Sequence, residues 1–593
     1  MFKNWYKENK ALIIAILISL ICMAIGWITY ILFGHQLIKA IYEGRSIEFL
    51  NKIFEGQSVH PVEFYYKTLD TIFFSYLVLF AIFVIFFITF KLLLAWDWTD
   101  LFIAALTSTA LLFFSGLIVK RILFSALECW GPAWLAWPVS LKYGYQLYYT
   151  ADTGPVTSII YPPLRAFIYL PVTLLSSPAP AIILSAFIDA CFYFMPIYLL
   201  HIRKNLSNTR KLLFAHYAFA SFCLFTFISQ VLNRFVDAVP LGIAAAACAI
   251  LYYRKHKDSI LSLLLSATFS VLAVWSKQTM VPLLVALPIY VLLADGYRCF
   301  KRYVLCLFVS GVVISVLLLW ISGPRNLFFY IFTLPYNCPW KYHSNRVVAL
   351  FISFLYLIKE SFVFVVLLIF YSWGRFLVSN NIPNKLNKWL NDNRWAMLVI
   401  ISLFMIPTSV LGRVKEYSGF NTLAPTVYFL VAALSLALME SISSLPSPCI
   451  RLRQRFAKLL PAILITVFIC VKIPEFCDIR TILYKLSGRD NYQNVAYEYA
   501  KRHPGEAYFP YHPLPSLMAE GKLYHFEFGL HDRDQMKFPV SYEHFKAHIP
   551  ADMQLIAFPS DYAAPYFTMK YLPEFSQRAT IDELPGWIVY TRK

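Results

Sequence analysis

Glu128 is the residue of this chain with the sharpest chemical potential. It lies just beyond an apolar run, in the segment KRILFSALECWGPAWLAWPVS. A carboxylate at the edge of a lipid-length stretch is costly to bury without a role or a partner. As a functional group it would be a general base, accepting the proton of an attacking hydroxyl. As a structural group it would pair with Lys120 or Arg121. Positive charge recurs at comparable positions. Arg234 and Asp237 occur in NRFVDAVP, and Lys277 and Gln278 in WSKQT. Arg325 follows a Gly-Pro break, Lys341, His343 and Arg346 lie in 322–347, and Arg413 and Lys415 lie in GRVKEYSGFN. Cations converging beside lipid suit a phosphate or diphosphate headgroup. Each alone reads as a side chain snorkelling at an interface; five loops each carrying one read as a site, with Asp237 orienting Arg234.

Such side chains need a scaffold that holds them at one level, and the composition names its class. Of 593 residues, 59% are hydrophobic and only 14% charged, against about a quarter charged in a soluble domain. Runs of roughly 20 apolar residues cross a bilayer. The sequence predicts all-α polytopic architecture with about thirteen spans: 11–33, 72–94, 101–119, 180–200, 213–231, 238–253, 259–275, 279–294, 303–321, 348–370, 395–411, 423–440 and 459–475. Residues 11–33 are too long and lack the small-residue cleavage site of a signal peptide, so they are expected to remain as the first helix. The short loops HIRKN, YYRKHK, YRCFKR, 375–394 and RLRQRFAK are basic; the positive-inside rule places them and the N-terminus in the cytoplasm and the C-terminal segment outside. The formal charge of +19 is accounted for by that topology rather than by nucleic acid. The 11 cysteines show no metal spacing, and Cys129, Cys338 and Cys477 fall on the outer side.

Three segments follow: an N-terminal hairpin (1–95), a membrane module (96–476) and an outer α/β domain (477–593). In the second, the long loop 120–179 carries Trp130, Trp134, Trp137, Tyr143, Tyr145, Tyr148 and Tyr149. Such rings favour the headgroup level, so the loop is expected to form short helices lying on the membrane surface, interrupted at Pro138, Gly144, Gly154 and Pro162-Pro163. The polar outer domain predicts a helix at 491–503 and strands at 506–511, 522–528, 553–558 and 587–591. Its His512, His531, Asp532 and Asp534 have metal-ligand chemistry, but read better as solvated loop side chains.

The order of short motifs resembles the GT-C superfamily, multispanning glycosyltransferases that use polyprenyl- or dolichyl-phosphate sugars; the protein mannosyltransferase and aminoarabinose-transferase branches look most similar. The motifs are Glu128 early in an external loop, the Trp-rich stretch, Gly144 to Tyr148, Gly154 and Tyr161-Pro162-Pro163-Leu164. Arg234-x-x-Asp237, Lys277-Gln278-Thr279 and the 412–421 stretch follow in the family's order, so that the resemblance spans roughly 100–475. Glu128 stands alone where the family often has a pair, and it follows the third span rather than the first. The loop 34–71, with Glu43, Glu48, Glu55, Glu63 and Asp70, is the alternative source of the acid.

The resemblance implies transfer of a sugar from a polyprenyl-phosphate donor to a hydroxyl of a lipid, glycan or protein, on the outer face of a bacterial inner membrane. Glu128 would be the base, and Lys277, Arg413, Arg234 and Arg325 would neutralise the phosphate. Gln278 and Lys415 would support them, and Tyr149 and Tyr161 would line the acceptor pocket. No metal ligand is assigned, and a divalent cation stays an open option of the family. Two rivals share the setting. A transporter or flippase for lipid-linked saccharides should carry charges in mid-helix, and a polymerase or ligase should carry a large late external loop.

Overall fold

The computed structural model describes residues 80–88 in part and 98–593, apart from 202–237, 256–258, 342–344, 379–385, most of 444–478 and a few single positions. The expected first helix, the acids of the 34–71 loop, the spans 213–231 and most of 72–94 and 459–475, and Arg234, Asp237, His343 and Cys477 lie outside the described residues. The chain forms two compact units, residues 1–113 with 469–477 and residues 114–468 with 478–593. Of the first, Phe83 stacks on Phe80 and Phe87 and meets Phe102 edge-on.

Among the described residues, six helices are long and apolar enough to cross a membrane: Ala104–Phe124, Pro178–Ile197, Gln278–Asp295, Tyr297–Ser322, Arg346–Ile369 and Arg394–Arg413. This is the pattern of a multi-pass membrane protein. Ile260–Ser276 and Ala424–Ala437 are shorter apolar helices, and Ala238–Lys255 completes the set. Each expected span between 101 and 440, other than 213–231, therefore coincides with a helix.

In the second unit small residues let backbones approach, and hydroxyls hold them together, as membrane bundles require. The buried run Ala244–Ala247 lies on the helix that packs against Ile260–Ser276. Ser266 Oγ donates to Ala249 O at 2.7 Å, and Ser270 and Tyr303 hydroxyls meet at 3.1 Å. Ser402 Oγ donates to Thr426 O at 2.8 Å, and Ser409 and Thr426 hydroxyls meet at 2.7 Å. By contrast, Tyr297–Ser322 turns Phe308, Val313, Val316 and Trp320 outward, a surface suited to lipid.

Helix ends sort onto two sides. On one, Arg254 donates to Arg394 O, Asn391 to Ala294 O and Tyr290 to Leu390 O, bringing together the helix ends beside three of the basic loops expected to be cytoplasmic, 252–257, 297–302 and 375–394. On the other, the turns after Ser276 and Arg413 meet the 145–160 and 325–341 segments.

The C-terminal residues form a four-stranded sheet, β1 (Ala507–Tyr508), β2 (Leu555–Pro559), β3 (Phe575–Ala579) and β4 (Trp587–Arg592), in the order β1-β2-β4-β3. β1 runs parallel to β2, and β4 antiparallel to both β2 and β3. Leu555 and Ala557 of β2 face a cluster with Ala496, Phe509 and Trp587. Ile556 faces another with Tyr508, Phe545 and Phe575. With both faces covered, β2 is buried throughout. The expected strand 522–528 is corrected: Glu527–Gln535 is a helix. Glu527 is drawn inside to accept from Phe567 N at 2.7 Å and Thr568 N at 3.0 Å, which an outward-facing strand position could not do.

Candidate active site

Glu128 sits in a short bend between helices Trp98–Phe124 and Trp130–Ser140. It is half-buried, and its backbone carbonyl accepts a hydrogen bond from Gln493 Nε2 at 3.2 Å. The helix beyond it corrects two expectations. Pro138 lies inside that helix rather than ending it, and residues 131–140 are all buried. The helix packs against Pro178–His201 and Pro513–Glu520, so the rings of Trp134 and Trp137 are enclosed by protein rather than exposed. Trp130 stacks on Phe528 with centroids 4.6 Å apart.

After this helix the chain doubles back through Gly144, whose φ of 81° is the left-handed conformation that glycine adopts at no steric cost. Trp137 Nε1 donates to Leu147 O at 2.6 Å, and the Tyr148 hydroxyl donates to Tyr161 O at 2.7 Å. Together these bonds set Tyr161 beside Trp134, ring centroids 6.0 Å apart and edge-on. Trp130 and Trp134 rings lie 5.8 Å apart, so a row of rings leads from the Glu128 bend to Tyr161.

Two cations converge on Tyr161. The buried Pro162-Pro163 pair opens the short helix Leu164–Ile168. Residues four apart on a helical path share a face, and Arg165 returns over Tyr161. Its guanidinium carbon lies 5.1 Å from the Tyr161 centroid and 5.0 Å from that of Trp134. Lys277 Nζ lies 5.1 Å from the same Tyr161 centroid. Lys277 adopts extended backbone where helix Ile260–Ser276 stops, which turns its side chain off the helix line. Arg165 is 1% exposed and Lys277 3%. Cation–π contacts of this kind strengthen on desolvation, to about 2 kcal/mol.

Gln278, next along, serves geometry: its Nε2 donates to Ile160 O at 2.6 Å. Arg413 ends a helix that reaches the same turn, since Thr408 Oγ1 donates to Thr279 O at 3.0 Å. Its guanidinium lies 5.3 Å from the Tyr356 centroid and donates to Ser418 O at 2.9 Å. Other expected members have partners or surroundings of their own. Lys415 Nζ donates to Cys338 O at 2.9 Å, and Lys341 Nζ to Ser418 O at 3.0 Å, so both lysines fasten one loop to another. Burial lowers the Lys415 pKa. Arg325 is exposed. The Tyr149 hydroxyl accepts from Gln146 N at 3.0 Å, within its own turn.

Three participants escaped the sequence reading. Arg165 had a signal, a lone charge in the apolar stretch LRAFIYL, one turn past Tyr-Pro-Pro. Asp189 had one too: it stands midway along helix Pro178–His201, buried, accepting from the Tyr169 hydroxyl at 2.5 Å. Gln493 had none. Its Nε2 also meets His512 Nδ1 at 2.7 Å, and His512 is fully buried. Expected as a solvated loop side chain, His512 is instead enclosed beside Tyr562 and Trp587, and burial pushes its pKa down to about 3.

The C-terminal domain grips the loop along its length. Leu523 N donates to the Tyr145 hydroxyl at 2.9 Å, Arg533 to Ala151 O at 2.6 Å, and Phe526 N to Val156 O at 2.9 Å. Val156 N donates to His525 Nδ1 at 2.9 Å, and His544 Nε2 donates to Gly154 O at 2.6 Å. Among the described residues no group of three or more His, Cys, Asp or Glu side chains is assembled for a metal ion.

No protein-family profile matches the chain, and no curated protein does. Two crystal structures are similar to it: ArnT from Cupriavidus metallidurans bound to undecaprenyl phosphate, and the same protein in the apo state. Each has 13% sequence identity and a TM-score of 0.47, over 82% of this chain and 98% of that one.

Proposed function

We propose that this chain is a membrane glycosyltransferase of the GT-C type, moving a sugar from a polyprenyl-phosphate donor to an acceptor hydroxyl on the extracytoplasmic face. The observation that carries the reading is the pair of buried cations, Arg165 and Lys277, on one ring of the loop that begins with Glu128. Arginine offers a planar fork to phosphate oxygens and lysine a compact charge. Held together, they would bind the donor phosphate and stabilise the charge it gains as the sugar departs, with Arg413 the next cation along the same turn. Arg234 and Arg325 are the remaining candidates for that role.

In the reaction the bond between the anomeric carbon and the phosphate oxygen breaks, and the acceptor oxygen bonds to that carbon. Glu128 takes the acceptor's proton, and the electron pair leaves on the phosphate. One displacement inverts the anomeric centre. No nucleotide is needed, because the lipid phosphate is already a leaving group. Tyr161, and Tyr149 beyond it, would flank the acceptor, and the basic loops support a cytoplasmic position for the opposite end of the bundle. The test is transfer by the purified protein with a panel of polyprenyl-phosphate sugars. Transfer that survives Glu128→Gln at full rate would remove the base from the scheme.

A second reading has one observation in its favour. Asp189 is buried in the middle of an apolar helix, where ionisable groups often mark transport pathways. A transporter for lipid-linked saccharides would move labelled lipid across reconstituted vesicles without cleaving it, and Asp189→Asn would stop the movement.

A further inference from the structure

We infer that Gln493 and His512, both in the outer domain, are positioning residues for Glu128, so that this domain is a working part of the active site. The inference rests on the assignment of Glu128 as base. Glu128 lies in a bend, where its backbone is not fixed by a helical ladder on both sides. Carbonyls before and after it in the chain are occupied locally: Leu123 O accepts from Ala126 N at 3.2 Å, Phe124 O from Leu127 N at 2.9 Å, and Cys129 O from Ala133 N at 3.1 Å. The Glu128 carbonyl instead accepts from Gln493 Nε2 across 365 residues of chain.

The chemistry of that contact fixes the amide. A backbone carbonyl only accepts, so the nitrogen of Gln493 must face it. The same nitrogen has a second proton, directed at His512 Nδ1 at 2.7 Å. Nδ1 is therefore the acceptor and the ring is the neutral tautomer with its proton on Nε2. The rings of Tyr562 and Trp587 flank His512, with centroids 5.9 Å and 5.5 Å away, and the loss of solvation on burial disfavours a charged imidazole. Gln493 is 1% exposed and His512 fully buried, so water does not compete for either bond. Packing holds the rest of the bend's exit: Trp130 stacks on Phe528 of the same domain. The pair thus acts on the backbone at the very residue assigned as base, from an element that carries none of the cations.

The experiment compares Glu128→Gln, Gln493→Leu, His512→Leu and His512→Asn in the full-length protein, with donor and acceptor saturation curves and the thermal midpoint of each. Leucine keeps volume and removes the polar contact; asparagine at 512 keeps an acceptor near Nδ1. Displacement of a reacting group by about 1 Å can cost on the order of 100-fold, so Gln493→Leu and His512→Leu are expected to lower kcat about 10- to 100-fold with donor KM nearly unchanged. His512→Asn is expected to recover most of what His512→Leu loses. Should Gln493→Leu fail to fold, the two variants at 512 carry the same comparison. Wild-type kcat per folded molecule in both leucine variants, with Glu128→Gln inactive, overturns the positioning role and leaves the base intact. Full activity of Glu128→Gln overturns the base assignment, whatever the other variants do. An equal loss in His512→Leu and His512→Asn also overturns the inference, since it would show that the ring, not its acceptor atom, matters.

Discussion

A methyl group added at Gly154 tests how tightly the loop is built. A Cβ there would lie 2.2 Å from Tyr149 Cγ, 2.4 Å from Cδ1 and 2.6 Å from Cδ2. Carbon atoms rest about 3.5 Å apart or more, so the ring must retreat by roughly 1 Å or more. These atoms are at the root of the ring, so a swing of the side-chain tip does not relieve the contact. The backbone cannot yield cheaply, since Gly154 O is held by His544 Nε2 at 2.6 Å. Gly154 also has φ of 75°, which costs an L side chain about 1–2 kcal/mol. Displacing Tyr149 gives up the bond its hydroxyl accepts from Gln146 N, worth about 1 kcal/mol. With the repacking, Gly154→Ala should destabilise the loop and its clamp by roughly 2–4 kcal/mol. In a Tyr149→Ala background the clash is gone and only the backbone cost of about 1–2 kcal/mol remains. Thermal unfolding of the four proteins in detergent measures the difference. Equal drops in midpoint in both backgrounds would refute the close approach of ring and glycine.

Arg165→Gln and Lys277→Gln should each reduce donor kcat/KM by about 10- to 100-fold, the worth of one charge-assisted hydrogen bond. Their combined loss should fall short of the product, because they share one ring; wild-type values in either would remove that side chain from the phosphate site. The buried His512 sets a pH dependence. Its folded pKa, about 3, lies below the unfolded value of about 6.5, so its contribution is complete above pH ~6.5 and is lost as pH falls toward the folded value. The buried Glu520 and Glu527, with raised pKa values, act in the opposite sense, so the comparison must be by difference. Between pH ~6.5 and ~4 the wild type should lose up to about 1 kcal/mol per pH unit more than His512→Asn, read as diverging thermal midpoints; parallel curves would contradict it. Tyr169→Phe removes the hydroxyl held by Asp189 and should destabilise by about 1–3 kcal/mol, checked by the thermal midpoint; no change would show that Asp189 is satisfied without it.

The membrane helices were legible because lipid imposes a single demand, a long apolar run, which composition reveals directly. The strands at 555–559 and 587–592 were legible for a related reason, since their apolar runs are flanked by turn residues. Residues 522–528 misled because their alternating rings look like a strand, whereas Glu527 is tied inward by the amides of residues 567 and 568, partners far away in sequence. The aromatic loop misled similarly. Tryptophans suit a headgroup layer and a protein interface equally well, and their enclosure by protein appears only once the C-terminal domain is packed against their helix. Lys341 and Lys415 stood out as cations, yet their charges go to backbone carbonyls, while Arg165 is the one that joins Lys277 on Tyr161. Charge type is written in the sequence; which charge meets which ring depends on where Pro162 and Pro163 turn the chain.

The distance along the chain between the loop and its clamp has a consequence for biosynthesis. The bonds from Glu128, Gly154 and Val156 to the outer domain bridge 365, 390 and 369 residues. At roughly 5–20 residues per second of translation, the loop leaves the ribosome roughly 20–80 s before its partners exist. The newborn helices can insert and pack meanwhile, but the Glu128 bend stays without its anchor. Under the proposed scheme, competence for transfer is deferred until the last domain has folded, and a chain interrupted before residue 493 would lack the Gln493 contact to the Glu128 bend.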